Sequence, residues 1–269
     1  MTRKIHLLAV DLDGTTVQHN GDISPRVLAA LANAMLRGVR VVIATGRTPG
    51  GLRRFAKRMN IPGLAITTQG GIIVDMDTGV ELRRLYLPRE LACEVVALER
   101  DRPHVRAVLY RDDNLFVTDI SVFKARSDLI GVSAVQVDDL CSAAAEHDPD
   151  KVLFMQEPER TREVFREITA FVGARATVVQ SHARFVEVNP LGADKGNALA
   201  WLAAHYGIAR ENVMAIGDQH NDVTMLQWAG FGVAMGNASL EIQAIADHVA
   251  PSVEEDGAAV VIEQFALGE

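Results

Sequence analysis

Ile5 to Val10, apolar except at His6, has the pattern of a strand buried on both faces of a parallel sheet, and it stops at Asp11. Ser24-Pro25 reads as a helix start, with Val27, Leu28, Leu31, Ala34 and Met35 on one face and Gly38 as the stop. Val39 to Ala44 predicts a second buried strand, and Leu64 to Thr67 a third. Between them, Thr48 to Met59 spaces Leu52, Phe55, Ala56 and Met59 as a helix does. This βαβαβ order predicts an open parallel sheet with right-handed crossovers.

From Ile72 the pattern changes. Two short alternating runs flank Asp77-Thr78-Gly79, a hairpin signal. Strands are then expected at Val105–Tyr110, Leu115–Val117, Ala134–Val137, Lys151–Gln156 and Thr177–Gln180, with helices at Pro88–Glu99 and Pro158–Val172. The first pattern resumes with helix Asp194–Tyr206, strand Val213–Ile216, helix Asn221–Trp228, strand Gly232–Met235 and a helix near Gly257–Phe265. The expectation is therefore a doubly wound α/β core, residues 1–84 and 185–269, split by an inserted α+β domain at 85–184.

The chain's 269 residues suffice for such a core and insert, and 48% hydrophobic with 23% charged residues fits an ordinary globular protein. No apolar run approaches the length of a membrane span. The basic start precedes an apolar stretch of only about six residues, which argues against a signal peptide and makes the cytoplasm the expected location. A net charge of −8 argues against a broad nucleic-acid surface. Cys93 and Cys141 lie 48 residues apart outside any CxxC, so they are expected as reduced structural thiols.

In open α/β sheets ligands bind beyond the carboxyl ends of the strands. Three such ends here are polar: Asp11-Leu12-Asp13-Gly14-Thr15, Thr45-Gly46-Arg47 and Gly217-Asp218-Gln219-His220-Asn221-Asp222. A lone Asp after a strand is usually a cap or turn residue. Here the topology brings four, Asp11, Asp13, Asp218 and Asp222, to one edge. Two carboxylates about 4 Å apart repel by roughly 4 kcal/mol at an effective dielectric of 20. Either a hard cation sits among them or some hold protons, and oxygen-only donors point to Mg²⁺. An EF-hand is rejected, because its sixth loop position must be Gly and this chain has Thr16, and because a strand precedes the acids. Lys195 opens a helix in GADKGNA, where free N–H groups already favour anions. Arg47 reads equally well as a ligand cation or a solvated surface charge.

The order DLDGT, a strand ending Thr45-Gly46-Arg47, Lys195-Gly196 before a helix, then GDQHND resembles the haloacid dehalogenase superfamily. NPLGADKGNAL and GDQHNDVTMLQWAGFGVAMGNA are similar to its Cof-type phosphatases. The resemblance implies a Mg²⁺-dependent phosphomonoesterase for small-molecule phosphates, sugar phosphates first. Asp11 is then the nucleophile that becomes an aspartyl-phosphate, and Asp13 the general acid and base. Asp11, the Asp13 carbonyl and Asp218 would hold the metal with Asp222 in support, while Thr45, Gly46, Lys195 and Asn221 would hold phosphoryl oxygens. The insert would be a cap that closes over the site. Flavin or pyridoxal phosphates are alternative substrates; phosphotransfer, mutase action and non-catalytic ligand binding are alternative functions. The expected partner is a small phosphorylated metabolite, with neither nucleic acid nor membrane, for a monomer or homodimer. Gln69 departs from the family's usual Asn before Gly, and Thr16 from its usual apolar residue; neither is given a role. Tyr110, Arg111, His182 and Arg184 are expected at the surface.

Overall fold

The computed structural model describes residues 4–268 apart from 103, 122 and 124–131. A parallel sheet has the order β14-β13-β12-β1-β2. Its strands are β1 (Leu7–Val10), β2 (Arg40–Ile43), β12 (Val213–Gly217), β13 (Phe231–Ala234) and β14 (His248–Val249). Side chains alternate between its faces. Leu8, Val10, Val41, Ile43, Met214 and Ile216 pack with apolar residues of α1 (Pro25–Leu36), α2 (Pro49–Met59) and a C-terminal helix, Gly257–Val261. Leu7, Ala9, Val42, Val213 and Ala215 pack on the other face with Ala198, Leu199 and Leu202 of Lys195–His205 and Met225 and Leu226 of Val223–Trp228. This two-sided burial is why Leu7–Val10 and residues 41–43 read as unbroken apolar runs. Pro25 follows the N-cap Ser24, whose side chain accepts from Val27 N–H at 3.2 Å, and Thr48 caps α2 in the same way at Gly51.

One strand lies differently from the sequence expectation. β3 (Leu64–Thr67) meets β2 only through the parallel bridge Ala44 to Ile66, and its ladder is antiparallel to β4 (Ile72–Asp75). The chain reverses within Thr68–Gly71, so β4 occupies the far edge of β3, and β5 (Glu81–Arg84) extends this to a three-stranded sheet.

The second large sheet has the order β10-β11-β9-β6-β7-β8. Its members are β6 (Arg106–Arg111), β7 (Asn114–Val117), β8 (Ser133–Gln136), β9 (Lys151–Met155), β10 (Ala176–His182) and β11 (Phe185–Pro190). β11 pairs with β9 and β10, so this sheet continues past the boundary expected at residue 184. One face is covered by α3 (Arg89–Ala97), α4 (Leu140–Glu146) and α5 (Thr161–Val172), which bury Ala107, Leu109, Val152, Phe154, Val186 and Val188. The alternate residues point the other way: Val108 is buried on that face, and Tyr110, Lys151, Leu153, Phe185 and Glu187 line the cleft facing the parallel sheet. Cys93 on α3 and Cys141 on α4 form a disulfide, not the reduced pair expected from sequence.

Candidate active site

The site is built where β1, β2 and β12 end side by side. Asp11 follows β1 and is 6% exposed, while Leu12 turns fully into the core. The loop folds back at once: Val17 N–H donates to Leu12 O at 2.8 Å and Gly14 N–H to Val17 O at 2.9 Å. Thr16, buried, donates its hydroxyl to Asp11 O at 2.9 Å and so ties the turn to the strand end. Gly14 sits at φ 87°, and a Cβ there would collide with the Asp218 carboxylate. Both the backbone conformation and the space therefore require glycine.

Lys195 opens the helix Lys195–His205, now α6, behind the N-cap Asp194. Its side chain is completely buried, with Nζ 2.6 Å from Asp11 Oδ1 and 2.5 Å from Asp222 Oδ1. The second oxygen of Asp222 accepts the Asp218 and Gln219 backbone N–H groups, each at 2.9 Å. Asp222 is thus occupied on both oxygens, holding the loop after β12 and the lysine together. Asp218 accepts from Thr15 Oγ1 at 3.1 Å, from Gln219 Nε2 at 3.1 Å and from Asn237 Nδ2 at 3.3 Å. Asn237 also donates to Gly14 O at 2.9 Å, which joins the two acid-bearing loops.

Asp11, Asp218 and Asp222 place one oxygen each within 4.8 Å of one another. Burial, then the neighbouring Asp222 charge, pushes the Asp218 carboxyl up to about 7. Burial likewise raises Asp11 well above the usual carboxylate range, with Asp222 and Asp218 adding to it and Lys195 opposing. For Lys195 burial works against the charge, but the Asp11 and Asp222 carboxylates outweigh it and raise the ammonium above its ordinary value. One buried cation therefore faces three buried acids. The imbalance and the oxygen-only donor set suit a hard divalent cation.

Asp13 lies apart from this cluster by its side chain, which is half exposed. Arg47 grips it with two hydrogen bonds, Nε to Oδ2 at 2.8 Å and Nη2 to Oδ1 at 2.7 Å. Arg47 is therefore not a solvated surface charge. Thr45, after β2, is buried, and its hydroxyl accepts Arg47 N–H at 3.2 Å. Gly46 faces Gln69 so closely that any Cβ would strike the Gln69 amide. Asn221 donates to Gln69 Oε1 at 2.9 Å.

Asp11, Asp13, Thr45, Gly46, Asp218 and Asn221 all line one cavity of about 540 Å³ between the two large sheets. Sequence reasoning missed its far wall. Lys151 and Glu187 are 2% and 3% exposed and form an ion pair at 2.5 Å. Each sits at an alternate position of a strand, where a charge usually marks the solvent face. Tyr110, expected at the surface, is buried beneath Lys151, whose Nζ lies 4.6 Å from the ring centre. His182 is exposed and lines the cavity. Arg111 and Arg184 instead pair with the exposed Glu146 and Glu157.

The chain has clear relatives. It is 31% identical, over 98% of its length and 96% of the other's, to a 5-amino-6-(5-phospho-D-ribitylamino)uracil phosphatase of Bacillus subtilis. A chloroplastic endoribonuclease YBEY of Arabidopsis thaliana is 31% identical over 98% of this chain, which spans only 47% of that longer protein. A subclass IIB sugar phosphatase of the haloacid dehalogenase superfamily superposes with a TM-score of 0.81 at 25% identity, covering 97% of this chain and 99% of the other. Because the haloacid dehalogenase-like hydrolase family profile matches residues 8–262, nearly the whole chain, the protein belongs to the haloacid dehalogenase-like hydrolases.

Proposed function

We propose that the protein is a Mg²⁺-dependent phosphomonoesterase acting on small phosphorylated metabolites, sugar phosphates first. The observation that carries this is Lys195 buried between Asp11 and Asp222 with Asp218 alongside. Asp11 and Asp218, with the Asp13 carbonyl and with Asp222 behind them, would hold the ion, which supplies charge neutralisation for a bound phosphoryl dianion. Asp11 attacks phosphorus as the bond to the leaving oxygen breaks, and Asp13 protonates that oxygen. Asp13 then takes a proton from the water that attacks the aspartyl-phosphate, which releases inorganic phosphate and restores Asp11. Thr45, Gly46, Lys195 and Asn221 bind the phosphoryl oxygens, and Arg47 orients Asp13 for both proton transfers.

A flat aromatic leaving group is the second reading. Tyr110 and Phe185 line the cavity, and His182 stacks on Phe185 at 4.8 Å between ring centres. The aminouracil phosphatase among the relatives supports the same direction. Phosphate release from sugar phosphates, pyridoxal phosphate, flavin mononucleotide and p-nitrophenyl phosphate tests the proposal. Release should require Mg²⁺ and stop on adding a chelator. Full activity in the chelator overturns it.

A further inference from the structure

Gln69 is 1% exposed and holds left-handed backbone, φ 57° and ψ 25°, a conformation that Asn tolerates better than Gln. Such an outlier invites a functional reason. Its amide links two parts of the molecule. Nε2 donates across the cleft to Glu187 Oε1 at 3.0 Å, and Oε1 accepts from Asn221 Nδ2 at 2.9 Å. Glu187 also accepts from the Ser181 hydroxyl and from Lys151 Nζ, and Lys151 in turn donates to Gly46 O at 2.9 Å. The six-stranded sheet thus meets the cleft-facing loops of the core at Gln69, which holds Asn221, and at Gly46, whose loop is assigned to the phosphoryl group.

The carboxylate fixes the direction of the chain. An ionised Glu187 only accepts, so Gln69 turns its NH₂ toward it and its carbonyl toward Asn221. Asn221 must then turn its NH₂ to Gln69, and its Oδ1 is left buried with no partner among the described residues. A shorter side chain at position 69 would relieve the backbone but could not reach both neighbours.

We infer that Gln69 is a positioning residue that ties the docked cap, through Glu187, to the orientation of the Asn221 amide beside the phosphoryl site. The role of Asn221 here rests on the phosphatase reading. The link itself is a property of the resting protein.

Gln69→Asn, Glu187→Gln and the double variant test it in two ways. The first is amide hydrogen exchange across residues 217–223 without substrate. Both single variants speed exchange severalfold, Gln69→Asn by shortening the link and Glu187→Gln by removing the acceptor-only group that fixes its direction, and the double variant goes no further because both act on one link. The second is steady-state kinetics. Gln69→Asn lowers kcat by about tenfold with KM little changed, since a misplaced donor is felt most in the transition state. Its melting temperature stays at or above that of the wild type, whereas a merely structural Gln69 predicts a lower melting point and an unchanged kcat. If the wild type turns over no phosphate ester, the phosphatase reading falls and the exchange measurement alone decides the link. Unchanged exchange in Gln69→Asn, unchanged kcat where the wild type turns over, or losses that multiply in the double variant overturn the inference.

Discussion

Lys195→Met replaces the buried ammonium by an uncharged side chain of similar length and leaves Asp11, Asp218 and Asp222 facing one another without a cation. Removing one partner of a buried ion pair costs about 3–5 kcal/mol. With an unfolding entropy of about 2.1 cal/mol/K per residue, this chain's melting point moves by roughly 2 °C per kcal/mol. A fall of about 6–10 °C is expected in chelator near pH 8. Because Lys195 is raised in the fold, its contribution is complete below its unfolded value of 10.5 and is lost only above its folded one. The ammonium therefore acts across the whole range from pH 5 to 8, and pH dependence in the variant must come from the acids. At pH 5 Asp11 and Asp218, both raised by burial, take up protons, so the deficit shrinks, and Mg²⁺ shrinks it at pH 8 by supplying the missing charge. Differential scanning calorimetry of wild type and variant, at both pH values with chelator or Mg²⁺, reads this directly. A deficit independent of pH and of Mg²⁺, or no deficit at all, refutes the electrostatic reasoning.

Asp13→Ala should slow a sugar phosphate at least about tenfold more than p-nitrophenyl phosphate, because a nitrophenolate departs without a proton and an alkoxide does not. Equal losses on the two substrates would remove Asp13 as the general acid. Asp218 is raised from 3.8 to about 7, so between these values the folded chain binds more protons than the unfolded one. Its contribution is therefore lost as pH rises through about 7, by at most about 4 kcal/mol, in metal-free protein. Asp218→Asn should flatten the melting-temperature slope between pH 5 and 8, and an unaltered slope would count against the assignment.

Much of the core was legible because one rule governs it. Strands covered by helices on both sides are apolar throughout, so Ile5 to Val10 announced both its strand and the polar edge at Asp11. The acids and Lys195 were legible because charge at the end of such a run needs a partner, and the fold supplies it in Lys195 flanked by Asp11 and Asp222. β3 has the expected bounds and a parallel bridge to the end of β2, but its antiparallel ladder to β4 was not legible, because a four-residue apolar run looks alike in either direction of pairing and the turn at Thr68–Gly71 decides it. Lys151 and Glu187 were invisible for a different reason. Their strand face is set by alternation, but whether that face meets water or the core depends on docking. The same holds for Cys93 and Cys141, whose helices meet only through tertiary packing.

The central claim is that the Asp11 carboxylate attacks phosphorus. The most direct measurement compares phosphate release by wild type and Asp11→Asn from one sugar phosphate in Mg²⁺, with circular dichroism confirming an intact fold. A nucleophilic Asp11 means a loss of at least about 10³-fold in the variant. A folded Asp11→Asn protein turning over at the wild-type rate would contradict it.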